Sequence, residues 1–338
     1  MSNIAVLKEQ LRRFWPIIPL TLVGYAVFIL IPIFLQDNVL RENSVVQLIY
    51  MGNTAMRVST LLVPFAIVMF LFHPLFDSRT ATAFHHFSDN KNVVFWMNII
   101  AGVALMLAPL VAVGLFTLII NDPSASGMFF LRMTVSYLFY FSVFIMAAML
   151  AGNAFMAIIL CLLLPILPYV IYSVGILAAR LYLPSLDISS APESAIIMGN
   201  TNPVMWYENL ERINQGVLYV SFTSIMAIVL FIANISFCER KAERAGDMVV
   251  FSSVKFALVL LSSLIGAILL GDFLAERIIE DTSAFYGLMP GFVVIFIIMQ
   301  MVVEKTFNIG NKIEQFLPMG IVAAVLFGGM FVVNNWVL

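Results

Sequence analysis

Long apolar runs separated by short polar connectors recur along the whole chain, and they limit its fold more strongly than any other feature. A run of about 20 apolar residues is long enough to cross the hydrocarbon core of a bilayer as an α-helix. Of the 338 residues 62% are hydrophobic and only 11% are charged, whereas about a quarter of the residues of a soluble protein are charged. Membrane β-barrel strands alternate in polarity, but these runs are continuous. The sequence therefore predicts an all-α polytopic membrane protein.

The boundaries of the runs predict about nine transmembrane helices in one membrane domain, residues 1–338. The predicted spans are 14–35, 56–76, 93–120, 128–150, 154–179, 217–237, 255–272, 284–303 and 317–337. Residues 1–13 carry apolar side chains at helical spacing with charged ones between them, a pattern that predicts an amphipathic helix lying in the membrane interface.

The distribution of lysine and arginine orients these spans. If the chain alternates sides, 11 of the 17 basic residues fall on the face that holds the N-terminus. The positive-inside rule then makes the N-terminus cytoplasmic, together with the connectors 73–92, 151–153, 238–255 and 304–316. The longest connector, 181–216, is external, and its Pro, Ser, Asn and Gly content predicts a loop.

The connector after the second span holds all three histidines of the chain. Asp77 or the following serine is a good helix N-cap, so we expect a short cytoplasmic helix over residues 77–91. Adjacent histidines such as His85 and His86 point to different faces of a helix, and no HxxxH pair is present. A solvated or partner-binding turn is therefore a better interpretation of this segment than a metal site.

A second cytoplasmic segment follows the sixth span, with the sequence CERKAERAGDMVVFSSVK. Glu239 and Glu243 lie four residues apart, as do Arg240 and Arg244, which predicts that the helix continues beyond the membrane. Gly246 is a suitable helix stop. Between the two segments, Ala147, Ala148, Ala151 and Gly152 have the small-xxx-small spacing of close helix packing.

Sequence motifs for chemistry within this chain are absent. There is no GxxxxGK[ST] phosphate-binding loop and no nucleophile elbow, and no basic cluster predicts binding to nucleic acid. The sequence therefore predicts that the chain is not an enzyme and that it binds neither a metal nor a cofactor. Work against a gradient would need energy from another chain.

Two segments resemble motifs of ABC-2-type ABC transporter permeases. In these permeases a short hSLP-x-(R/K) stretch often follows a membrane helix, and the residues that match it here, without the proline, are His86, Phe87, Ser88, Asp89, Asn90 and Lys91. A second motif, (Y/F)-x-x-R-K-x-E-x-A-G, is matched by Phe237, Arg240, Lys241, Glu243, Ala245 and Gly246. It is similar to the motif in permeases of multi-subunit exporters that respond to cell-envelope stress. The basic core of the family has six spans, fewer than the nine predicted here.

The resemblance implies a subunit of the bacterial plasma membrane that pairs with a second permease and binds cytoplasmic ABC ATPases. ATP and Mg²⁺ would then be bound by the ATPases. It also implies that the 77–91 helix couples the ATPase to the membrane domain. The implied contact residues there are Asp77, Arg79, Phe84, His85, His86, Phe87 and Lys91, and those of a second contact are Arg240, Lys241, Glu243, Arg244 and Gly246.

The expected function is ATP-driven transport, with export of a lipophilic or peptide substrate. Two alternatives stay open at this point. One is a non-catalytic sensor or scaffold that binds an envelope ligand through the 181–216 loop. The other is an intramembrane metal-dependent enzyme that uses the histidine–aspartate cluster.

Overall fold

The computed structural model describes residues 8, 11–12, 14–25, 54–77, 80–81, 91–120, 123–183, 215–277, 283–305 and 313–332. The α-helices in these ranges are α1 (Ile17–Tyr25), α2 (Thr54–Phe72), α3 (Lys91–Ile120), α4 (Pro123–Leu150), α5 (Ala154–Tyr182), α6 (Gln215–Glu239), α7 (Ser252–Arg277), α8 (Ser283–Glu304) and α9 (Ile313–Val332). Short 3₁₀ turns lie at His73–Phe76 and Ala242–Arg244. The predicted all-α class is confirmed for this part of the chain.

Seven helical segments among the described residues are long and apolar enough to cross a membrane. They are Val58–Phe76, Lys91–Leu115, Phe130–Leu150, Ala154–Tyr182, Tyr219–Glu239, Ser252–Leu274 and Gly287–Glu304. They correspond to the second to eighth predicted spans, and they indicate an α-helical membrane protein. In lipid the backbone polar groups must be satisfied within the structure, and a helix does so within one segment.

The first and ninth predicted spans stay predictions. Of the first, the structure describes the nine-residue helix α1. Within α9 the apolar part, Phe316–Gly329, is shorter than the seven segments above. Most of the predicted interfacial helix at residues 1–13 lies outside the described residues, as does most of the 181–216 loop.

The helices form two compact units, and unit 1 comprises Met1–Pro165 and Met198–Asp247. Its central element is α4, because 78% of the membrane-length window of that helix is buried. On one side, Ser59 of α2 lies 3.0 Å from the hydroxyl group of Tyr137. On another, the ring centroids of Phe139 and Phe222 of α6 are 5.1 Å apart. Aromatic and hydroxyl contacts thus hold α2 and α6 against α4.

Unit 2 comprises Ile166–Ile197 and Met248–Leu338. Its main contact is between α7 and α8, which approach each other through glycine. A Cβ atom added at Gly287 would lie 2.7 Å from the Cα atom of Gly271, and one added at Gly291 would lie 2.9 Å from that of Ala267. Gly287 and Gly291 are four residues apart, the spacing that lets helix backbones meet in membranes. Phe296 of α8 and Phe316 of α9 make a ring contact at 5.1 Å.

Candidate functional site: the connector end of unit 1

Four pieces of chain meet at one end of unit 1. They are the turn His73–Phe76 with Asp77, the start of α3, residues 148–153, and residues 238–247. We call this set the connector end. The sequence predicted that these connectors share one face of the membrane, and the hydrogen bonds below connect them directly.

Arg240 lies at the centre of the connector end and is almost fully buried, with 2% of its surface exposed. Its Nη1 atom donates hydrogen bonds to the carbonyl oxygens of Ala148 at 3.0 Å and Met149 at 3.2 Å. Its Nη2 atom donates to the carbonyl oxygen of Leu75 at 2.7 Å. One side chain of the loop after α6 therefore binds the last turn of α4 and the turn that follows α2.

These acceptors explain how a guanidinium group can be buried here. The last four carbonyls of a helix lack intrahelical donors, and together they give the helix C-terminus a partial negative charge. Ala148 and Met149 are two of the last three residues of α4. Burial lowers the pKa of Arg240 to about 10, so the group stays protonated at neutral pH. The charge of Arg240 is therefore balanced by the end of α4 and by a third carbonyl.

The start of α3 is attached to the end of α6 beside this arginine. The Nζ atom of Lys91 donates to the carbonyl oxygen of Cys238 at 3.1 Å. The Sγ atom of Cys238 donates to Oδ1 of Asn92 at 3.0 Å. One helical turn deeper, the rings of Phe95 and Phe237 lie 5.5 Å apart. Lys91, which the resemblance assigns to an ATPase contact, thus also fixes α3 to α6.

Two glycines allow the loop after α6 to pack on the connector between α4 and α5. The backbone N–H of Gly246 donates to the carbonyl oxygen of Gly152 at 2.7 Å. A Cβ atom at Gly152 would collide with the carbonyl group of Asp247. Gly246 has φ +99°, a conformation that favours glycine. In the sequence, the small size of Gly152 predicted packing between helices. In the structure, Gly152 packs against the loop after α6.

The loop after α6 differs from its prediction. We expected the helix to continue towards Gly246, but α6 ends at Glu239 and a 3₁₀ turn follows at Ala242–Arg244. The N–H of Arg240 still donates to the carbonyl oxygen of Ser236 as in a helix, but Gly246 and Asp247 are hydrogen-bonded to the connector between α4 and α5 instead of to α6. Lys241, Glu243 and Arg244 are exposed. The second predicted contact therefore consists of one buried arginine beneath an exposed, charged loop.

Most of the first predicted contact, 77–91, lies outside the described residues, including Arg79, Phe84, His85, His86 and Phe87. Its start is described. The backbone N–H of Ala81 donates to the carbonyl oxygen of Asp77 at 2.8 Å, an i to i−4 bond. Asp77 itself is extended, with φ −115° and ψ 128°, the backbone conformation of an N-cap residue. Thr80 and Ala81 are helical, and the side chain of Asp77 is exposed.

At the other end of unit 1 an apolar cleft of about 160 Å³ lies between α3 and α4. It is lined by Leu110, Val111, Gly114, Leu115, Gly127, Phe130 and Thr134. Within the described ranges no group of three or more His, Cys, Asp or Glu side chains could hold a metal ion.

Comparison with family models, with curated proteins and with solved structures finds no match to this chain. The resemblance to ABC-2-type permeases therefore stays a hypothesis based on two short motifs.

Proposed function

We propose that this chain is the membrane-spanning permease subunit of an ATP-driven transporter, and that separate ATPase subunits bind its connector end. The protein would lie in a bacterial plasma membrane with nine spans, an interfacial helix at residues 1–13 and a cytoplasmic N-terminus. It would assemble with a second permease subunit. The chain itself would hold no nucleotide, metal or other cofactor.

The observation that carries this proposal is the buried Arg240 with its three carbonyl acceptors. A connector that only joins two helices needs no such internal structure, and most loops on a protein surface are loosely held. Here the chain buries a charged side chain in order to fix three connectors to one another. A surface built in this way suits a partner that must push or pull on the helices.

The exposed groups above Arg240 suit a protein partner better than the bilayer. Lys241 and Arg244 are basic, whereas Glu243 and Asp247 are acidic, and all four are exposed. Anionic lipid attracts clusters of basic residues, and this loop instead mixes both signs. Mixed charge gives orientation and specificity in contacts between proteins.

The apolar cleft between α3 and α4 is the observation that favours a lipophilic substrate. Its lining is almost wholly aliphatic and aromatic, and the single hydroxyl group in it belongs to Thr134. An acyl chain or an apolar peptide side chain matches such a lining. Export is the direction that the resemblance implies.

The proposal is tested by co-expression with the ABC ATPase genes of the same source organism and purification through a tag on this chain. The variant replaces the four residues Phe84, His85, His86 and Phe87 by alanine. We expect the wild type to retain an ATPase subunit and the variant to lose it, with unchanged elution of the folded membrane protein. The matched control replaces the exposed residues Leu131 and Leu162 of α4 and α5 by alanine. If no ATPase binds the wild type, the proposed function is wrong.

A further inference from the structure

We infer that Arg240 is a positioning residue that makes the 73–77 turn, the end of α4 and the 240–247 loop move as one body. The inference rests on the proposed function only for the identity of the partner. It assigns Arg240 a different role from the one that the motif implies, because a side chain that is 2% exposed cannot itself be the contact surface.

The hydrogen bonds of Arg240 lie close to both predicted contact segments. Leu75, which accepts from Nη2, precedes Asp77 by two residues. Lys241, the first exposed residue of the loop, directly follows Arg240. The guanidinium group therefore joins the two predicted contact segments at points within two residues of each.

The other end of the loop is attached to the 148–153 connector as well. Gly246 donates to Gly152 at 2.7 Å, and Nδ2 of Asn153 donates to the carbonyl oxygen of Asp247 at 3.0 Å. The loop is thus bound to the 148–153 connector at both of its ends, through Arg240 and through Gly246 and Asp247. A force on its exposed middle must displace the end of α4 too.

The two terminal nitrogens of the Arg240 side chain bind different chain segments. Nη1 serves the two α4 carbonyls while Nη2 serves Leu75. A planar guanidinium fork holds acceptors from two chain segments in fixed directions, whereas the ammonium group of lysine is a single point with flexible donors. Lysine would keep the charge but would not hold both segments in one geometry.

The test is hydrogen–deuterium exchange of the full chain in lipid nanodiscs, followed by peptide. In Arg240→Met we expect exchange to rise at least about tenfold in 73–77, 148–153 and 241–247 together, because the closed state of all three segments loses a shared restraint. The neighbouring variant Lys241→Met removes the same charge from an exposed position and should leave all three segments unchanged. A rise confined to 241–247 would overturn the inference.

A milder variant keeps the test decisive if Arg240→Met does not fold. Arg240→Lys preserves the charge, and we expect it to release either 73–77 or 148–153 while the other keeps its protection. Exchange identical to that of the wild type in all three segments would show that the fork is not needed, and the inference would be wrong.

The complex with a co-purified ATPase separates this inference from the proposed function. Addition of a non-hydrolysable ATP analogue with Mg²⁺ should change exchange in the three segments together in the wild type, and in only part of them in Arg240→Lys. A response confined to one segment of the wild type would contradict the inference. If no ATPase binds, the proposed function fails, and exchange in the free chain still decides whether Arg240 joins the segments.

Discussion

The connector end of unit 1 and the ends of α7 and α8 in unit 2 use basic residues in opposite ways. In unit 1, Arg240 is buried and donates to three carbonyl oxygens. In unit 2, Lys255 near the start of α7 forms an ion pair with Glu304 at the end of α8, at 3.9 Å, and both side chains are 23% exposed. Arg240 and Lys255 both lie in the predicted cytoplasmic connector 238–255, but only Arg240 is buried.

This difference distinguishes a basic residue that the packing of the protein requires from one that only follows the membrane topology. A solvent-exposed ion pair contributes about 0–1 kcal/mol and is screened by salt. A buried guanidinium group with three acceptors contributes more, because its removal leaves buried carbonyls without donors. A count of lysine and arginine orients the chain but does not distinguish the two roles. The packing of α7 and α8 in unit 2 depends instead on glycine, within the helices themselves.

The largest expected effect is that of Arg240→Met on stability. We predict a loss of about 3 kcal/mol in the free energy of unfolding, since three carbonyl groups lose a charged donor and the side chain fills less space. The measurement is reversible unfolding in mixed micelles with increasing denaturing detergent. Lys241→Met is the matched control and should stay within about 0.5 kcal/mol of the wild type. Equal effects of the two variants would remove the distinction between the two units.

Gly152→Ala should be next in size. The added methyl group meets the backbone of Asp247 and lies 3.0 Å from the carbonyl oxygen of Arg244, and backbone atoms cannot rotate away as side chains can. We expect a loss of about 1–3 kcal/mol, with increased proteolysis of the 241–247 loop. Gly24→Ala in α1 has no atom within 4 Å of its new Cβ and should be neutral or slightly stabilising. An unchanged loop in Gly152→Ala would contradict the backbone contact.

Gly287→Ala applies the same test to unit 2. Its Cβ would lie 2.7 Å from the Cα atom of Gly271 and 2.9 Å from the carbonyl oxygen of Leu270, which forces α7 and α8 apart at a cost of about 1–3 kcal/mol. Thermal denaturation in detergent measures the effect, with Gly175→Ala as the control because its Cβ has open space. This change should leave hydrogen exchange at the connector end of unit 1 as it is in the wild type. A loss of protection there would mean that the two units are not stabilised independently.

Lys255→Met should have the smallest effect. Removing one partner of the partly exposed ion pair with Glu304 is expected to change the free energy of unfolding by less than about 1 kcal/mol. The effect should shrink further in about 1 M salt, where screening acts over about 3 Å. An effect as large as that of Arg240→Met would show that the ion pair also has a structural role.

Sequence reasoning predicted the helices well because the bilayer imposes a length and an apolar composition on each of them. The second to eighth predicted spans match described helices to within five residues at each end. It also predicted that residues 73–92, 151–153 and 238–255 share one side, and within unit 1 residues of all three connectors are hydrogen-bonded to one another.

Burial at the connector end could not be predicted in the same way. Arg240 and Arg244 differ by four positions and look equivalent in a helical pattern, but one is buried and the other is exposed. The difference comes from carbonyl groups about 90 and 165 positions away in the chain, and no local pattern contains them. The GxxxG spacing of Gly287 and Gly291 was visible in the sequence, yet a proline lies within it at position 290, and it was not used in the prediction.

The most direct test of the account is site-specific photocrosslinking in native membranes. A photoreactive amino acid is placed at Lys241, on the exposed loop above Arg240, and at Gly127, which is exposed near the opposite end of α4. We predict a covalent adduct with an ABC ATPase subunit from position 241, with a yield that changes when nucleotide is depleted, and none from position 127. Adducts with an ATPase from position 127 alone, or from neither position, would contradict the claim that the connector end of unit 1 binds the motor of a transporter.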